Sequence, residues 1–100
     1  MCKVVNLKHE RYDVYIGRAG HGQDGRFGNP FRVGVHGAQG ECVKLFENWF
    51  YSESPAAVQM RMRVLQEIKP GMVLGCFCKP RACHGDVIAA YVNGHVTAKQ

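Results

Sequence analysis

The sequence predicts a small α/β domain with a mainly parallel sheet, three layers and about three helices. Three observations predict it. Short β-prone runs lie near residues 3–7, 12–16 and 73–78, two apolar helical patterns separate the second run from the third, and a further helical pattern follows the third directly. The imperfect alternation of YDVYI at 12–16 is that of a strand covered on both faces, as in parallel sheets. The chain of 100 residues forms one domain, 1–100, with little surface to spare for its core.

Taken in order, KVVNL at 3–7 and YDVYI at 12–16 are rich in residues that suit a pleated surface, and Gly17 ends the second. Residues 32–40 form an irregular, glycine-containing segment with His36 as an ordinary surface histidine. In residues 41–51, Val43, Phe46 and Phe50 share one helical face, with Cys42, Leu45 and Trp49 beside it. This aromatic stripe reads as core. Ser54-Pro55 supplies an N-cap and a first-turn proline for a second helix to about Ile68. Val58, Met62 and Leu65 mark its apolar side, and Arg61, Arg63 and Glu67 a solvated one. Lys69-Pro70-Gly71 turns the chain into the third strand. The last helix runs from Val87 through Val92 to a stop at Asn93-Gly94, and residues 95–100 are expected to fray.

Hydrophobic residues make up 46% and charged residues 21%, a composition that excludes intrinsic disorder. No apolar run approaches the roughly 20 residues of a membrane span, and the first residues lack the apolar core of a signal peptide. A cytoplasmic setting is therefore expected. There, five cysteines read as small hydrophobes, metal ligands or reactive thiols rather than disulfides. With 13 Lys and Arg against 8 Asp and Glu, the net charge of +5 favours an anionic partner. The basic residues are scattered, so nucleic acid ranks behind a small anionic ligand.

Two stretches carry chemistry. Residues 17–31, GRAGHGQDGRFGNPF, hold five glycines, two arginines and Asn29. A loop this long in a small domain is functional or mobile. Gly17 and Gly28 allow close backbone approach to an anion, and Arg18 or Arg26 can grip phosphate or carboxylate with two parallel hydrogen bonds. The stretch matches neither the dinucleotide fingerprint nor the Gly-Lys-Ser/Thr phosphate loop. Phe27-Gly28-Asn29-Pro30-Phe31 reads as a loop end pinned to the core by two aromatics.

Residues 73–87, VLGCFCKPRACHGDV, place Cys76 and Cys78 on one strand face and Gly75 and Phe77 on the other. Cys83, His84, Gly85 and Asp86 then open a helix. Three readings compete. In a reactive site, the helix N-terminus favours a Cys83 thiolate as nucleophile, with His84 or Asp86 handling protons. Neighbouring helical residues point about 100° apart, which weakens a Cys83–His84 dyad. In a zinc site, Cys76, Cys78, Cys83 and His84 would be the ligands, although Cys-x-Cys followed by Cys-His is not a standard knuckle. In an anion site, the amide groups at the helix start, among them that of Gly85, hold a phosphate with Lys79 and Arg81 in front. Asp86 also suits a plain first-turn residue. The anion site requires the fewest special features. No cofactor follows from the sequence outside the zinc alternative.

VYIGRAG (14–20), FGNPF (27–31) and CFCKPRACHGDV (76–87), in that order, resemble the DUF4326 family of small bacterial and phage proteins, a domain of unknown function. The resemblance implies a compact Rossmann-like α/β fold in a bacterial or infected cell and, by analogy, kinship with nucleotide-binding domains of phage–host conflict. It also implies that Arg18, Gly28, Asn29, Pro30, Cys78, Cys83, His84, Gly85 and Asp86 belong to one site. The expected function is binding of a nucleotide or nucleotide-like phosphorylated ligand between the 17–31 loop and the 78–86 turn, to process or to sequester it. A zinc-stabilised interaction or nucleic-acid-binding module is one alternative, and a protein inhibitor of a host enzyme is another.

Overall fold

Lys3–Asn6 and Val73–Cys76 form strands β1 and β3, and Val14–Tyr15 forms a two-residue β2. In the computed structural model these make one sheet in the order β1-β3-β2, with both pairings parallel. The structure describes all residues except Met1, Ala19, His21, Val33, Cys78, Pro80, Lys99 and Gln100, and the backbone alone for 95–98. Register sets Val4 and Val14 beside Leu74, and Val5 and Tyr15 beside Gly75. β2 stays short, but its hydrogen bonding extends outward. The Asp13 amide donates to the Val73 carbonyl at 2.8 Å and the Ile16 amide to that of Gly75 at 3.0 Å.

Three helices follow the predicted order: α1 (Gln39–Phe50), α2 (Pro55–Glu67) and α3 (His84–Ala98). α3 lies on β1 and β3, while α1 and α2 pack on α3 and on each other. The core they enclose holds Ile16, Phe27, Phe46, Phe50, Val64, Ile68, Leu74, Cys76, Cys83, Ile88 and Val92. Leu74 and Cys76 face it, as strand alternation requires. The opposite sheet face carries Gly75 and Phe77. A side chain at Gly75 would run into the Tyr12 ring, with Cγ only 2.6 Å from the added carbon. The α/β class, the parallel sheet and the three helices are as predicted. Among the described residues, the outer layer over that face is a cap of aromatic side chains and not a helix.

Three sequence expectations change. α2 buries Ala57, Met60 and Val64, one stripe round from the expected Val58–Met62–Leu65 side, and Met62 is 58% exposed. Both stripes are apolar, so periodicity alone does not choose between them. Arg61 is not on a solvated face. Its guanidinium donates to the carbonyls of Phe50 and of Ser52, the latter at 2.8 Å, and so satisfies the open end of α1. α3 does not stop at Asn93-Gly94 but continues to Ala98. The Asn93 carboxamide accepts from the Cys2 amide at 2.9 Å and donates to the Cys2 carbonyl at 3.3 Å, so it anchors β1 instead of capping the helix.

No helix among the described residues is long and apolar enough to cross a membrane.

Candidate functional site

Because the three strands run in the same direction, their carboxyl ends share one edge, and the loops after them meet there. Lys8 follows β1, residues 17–31 follow β2, and residues 77–83 lead from β3 into α3. Open parallel sheets place their ligand crevices at this edge.

The two predicted stretches are sewn together directly. His84, only 6% exposed, sets Nε2 2.7 Å from the Ile16 carbonyl and 3.0 Å from that of Phe27. Both partners are acceptors, which assigns a proton to Nε2. The ring also meets Phe46 edge-on at 5.1 Å. Nδ1 lies 3.7 Å from Cys83 Sγ, which lies 3.0 Å from Cys76 Sγ. Cys83 and His84 thus approach one another although adjacent in sequence. Cys83 precedes the first helical residue and so escapes the helical angle between neighbours.

Cys83 and Asp86 cap α3 reciprocally. The Gly85 amide donates to Cys83 Sγ at 3.3 Å, and the Cys83 amide donates to Asp86 Oδ2 at 3.2 Å. Asp86 also pairs with Lys79 Nζ at 2.6 Å, and Gln39 Nε2 on α1 donates to the Ala82 carbonyl at the same distance. Asn6 Nδ2 donates to the Lys79 carbonyl at 2.8 Å. The anion at this helix start is the protein's own carboxylate. Cys83 is fully buried, so its sulfur has no contact with solvent. Gly85 is buried too, because a side chain there would overlap Ile16 and lie 3.2 Å from Val4 Cγ1.

Arg18 ties the two ends of the 17–31 stretch together, its guanidinium donating from NH1 to the Asn29 carbonyl at 2.8 Å and from NH2 to that of Phe31 at 2.9 Å. These bonds fix the plane of the group, which stays exposed. Asn29 organises the turn, accepting from the Phe31 amide at 2.9 Å and donating to the Cys42 carbonyl at 3.2 Å. Gly28 is a close-approach position. An added side-chain carbon would stand 2.9 Å from the Gly17 carbonyl oxygen and 3.3 Å from Arg18 Cα. Gly17 is buried beneath the Tyr15 ring.

Of the predicted ligand contacts, Arg18 and Arg81 are exposed at the edge, while Asn29 and Lys79 hold the loops together. Three further residues, not singled out from the sequence, belong to it. Phe77 is 50% exposed, meets Tyr15 edge-on at 6.4 Å, and has Lys8 Nζ 5.8 Å from its ring centre. The Tyr15 hydroxyl donates to the Arg18 carbonyl at 2.7 Å. Burial, and then the neighbouring Tyr12, push its pKa above the ordinary value, which keeps that donor protonated. Alternation had already set Phe77 opposite the cysteines, which was the available signal.

A cavity of about 290 Å³ lies on the other side of the loop, between Arg26 and Gly28 and the α1–α2 residues Trp49, Gln59 and Arg63. Its two arginines are paired with two carboxylates, Arg26 with Asp24 at 3.0 Å and with Glu67 at 2.7 Å, and Arg63 with Glu67 at 3.6 Å. Of the four zinc candidates, Cys78 lies outside the described residues. Among the described residues no group of three or more His, Cys, Asp or Glu is arranged to hold a metal.

The profile of a domain of unknown function, DUF4326, matches residues 3–94. An uncharacterized 12.4 kDa protein of Enterobacteria phage T4, encoded between nrdA and td, is 33% identical over 93 residues, covering 93% of this chain and 79% of its own length. No solved structure matches the chain significantly. With the family profile spanning nearly the whole domain, the chain belongs to the DUF4326 family.

Proposed function

We propose that this protein binds a nucleotide or nucleotide-like phosphorylated ligand at the carboxyl edge of its sheet, on the rim where the 17–31 loop meets the 78–86 turn. One observation carries the reading. Each loop after a strand brings a basic side chain to the same edge: Lys8 after β1, Arg18 after β2 and Arg81 after β3. Among the described residues, none of these three has a carboxylate within ion-pair distance. Arg18 is pre-set by its two backbone acceptors, so gripping phosphate costs it little further ordering. The ligand sits outside the His84 seam, because the seam itself is filled. The burial of Cys83 favours holding the ligand over attacking it through that thiol. Kinship with a phage protein fits a role during infection, in the cytoplasm of a bacterial host.

Native mass spectrometry of protein purified from cells tests this. A co-purifying phosphorylated adduct, lost in Arg18→Ala and in Arg81→Ala while both variants stay folded, is the expected result. An adduct retained in both variants would remove the reading.

A zinc-stabilised module is the second reading, and His84 is what favours it. A zinc-bound histidine commonly donates its other ring N–H to a carbonyl, as His84 Nε2 does, here with Nδ1 3.7 Å from Cys83 Sγ. Stoichiometric zinc in the purified protein, lost together with folding in Cys83→Ser, would place this reading first.

A further inference from the structure

We infer that Phe77 is a stacking surface for the base of a mononucleotide. The inference rests on the nucleotide reading and gives it a base subsite. Phe77 follows the central strand directly, at the carboxyl edge, and points to the sheet face that carries no helix. The ring is half exposed at this edge, so one of its faces is open to a ligand. Its surroundings are particular. Tyr15 buttresses it edge-on, and Tyr15 is itself fixed by its hydrogen bond to the Arg18 carbonyl and by its packing on Gly17.

One cation rests over the ring face, Lys8, and the backbone of a second basic residue at this edge, Arg18, is tied to Tyr15. A planar π surface under one ammonium, with a second cation on the same sheet edge and no carboxylate paired to either, complements a molecule with a flat ring and an anionic group. That is a nucleoside phosphate. Lys8 marks the place. Its ammonium rests on the ring through a cation–π contact, and an arriving base would take the ring face while the ammonium swings to the phosphate. One exposed ring accommodates one base, and the patch is far smaller than the roughly 800 Å² per partner of a stable protein interface.

Isothermal titration with the 5′-monophosphates of the four common ribonucleosides, against ribose 5-phosphate, separates the base subsite from the anion site. The wild-type protein should bind at least one nucleotide roughly tenfold or more tightly than ribose 5-phosphate. Phe77→Ala should erase that difference while leaving ribose 5-phosphate binding unchanged. Phe77→Trp should restore it, with fluorescence quenched on binding beyond any change from Trp49. Equal affinity for ribose 5-phosphate and all four nucleotides would remove the stacking inference and leave the anion site standing. A preference that survives Phe77→Ala would do the same. Failure of every phosphate to bind would remove both. Affinity that climbs with oligonucleotide length would overturn the mononucleotide assignment in favour of single-stranded nucleic acid.

Discussion

His84 Nε2 lies 2.7 Å from the Ile16 carbonyl oxygen, a bond between the first turn of α3 and the end of β2 across 68 residues of sequence. The same nitrogen reaches the Phe27 carbonyl at 3.0 Å, so one buried imidazole holds both ends of the loop segment between β2 and the FGNPF turn. Removing it strands two buried carbonyls and opens a cavity against Phe46. His84→Ala is expected to cost ~3 kcal/mol. Urea denaturation should show that loss, with faster amide exchange across residues 22–28. Unchanged stability would mean that the loop is held by Phe27 packing alone.

Two glycines on α3 should respond in opposite directions. Gly85→Ala forces a methyl into Ile16 and Val4 and pushes the helix off the sheet, costing roughly 1–3 kcal/mol. Gly94 has open space around it inside the helix, so Gly94→Ala should stabilise by about 0.5–1 kcal/mol. Thermal melts of the two variants compared with wild type are sufficient. A loss of stability in Gly94→Ala would place the helix end nearer the Asn-Gly pair.

Asn93→Ala removes both hydrogen bonds to the Cys2 backbone and should cost about 1–2 kcal/mol, with early amide exchange at Cys2. Equal exchange at Cys2 in variant and wild type would show that β1 is held by its pairing to β3 alone.

Asp24 gives a pH signature. The Arg26 backbone N–H, and then the Arg26 guanidinium, hold its carboxyl below the ordinary 3.8. A depressed carboxylate stabilises the fold above its unfolded pKa, and that contribution fades as pH falls through the lower folded value. An NMR pH titration should therefore place the Asp24 midpoint below 3.8. In Asp24→Asn the acid limb of the stability curve should be shallower. High salt should shrink the difference, because the pair is exposed. A midpoint at or above 3.8 contradicts the pairing.

Much of this was legible in the sequence, since strand and helix patterns depend on local spacing. The loops that follow β2 and β3 start from one edge of the sheet because the strands are parallel. What sequence could not supply was the destination of polar side chains whose partners lie far away. Asn93 in an Asn-Gly pair reads as a helix stop until Cys2 stands beside it. Arg61 reads as solvated until the end of α1 arrives beneath it. Asp86, by contrast, kept its plain reading as a first-turn residue, and Lys79 joined it there. Phe77 was visible only as an alternation partner, and its place beside Tyr15 and Lys8 depends on pairing across the sheet.

The most direct test of the carboxyl-edge site is a 1H–15N titration of the labelled protein with a nucleoside 5′-monophosphate. Amide shifts centred on Lys8, Arg18, Phe77 and Arg81, saturating together, are the predicted result. Shifts centred on Arg26, Trp49 and Arg63, with the edge unmoved, would contradict it and place the ligand in the cavity behind the loop.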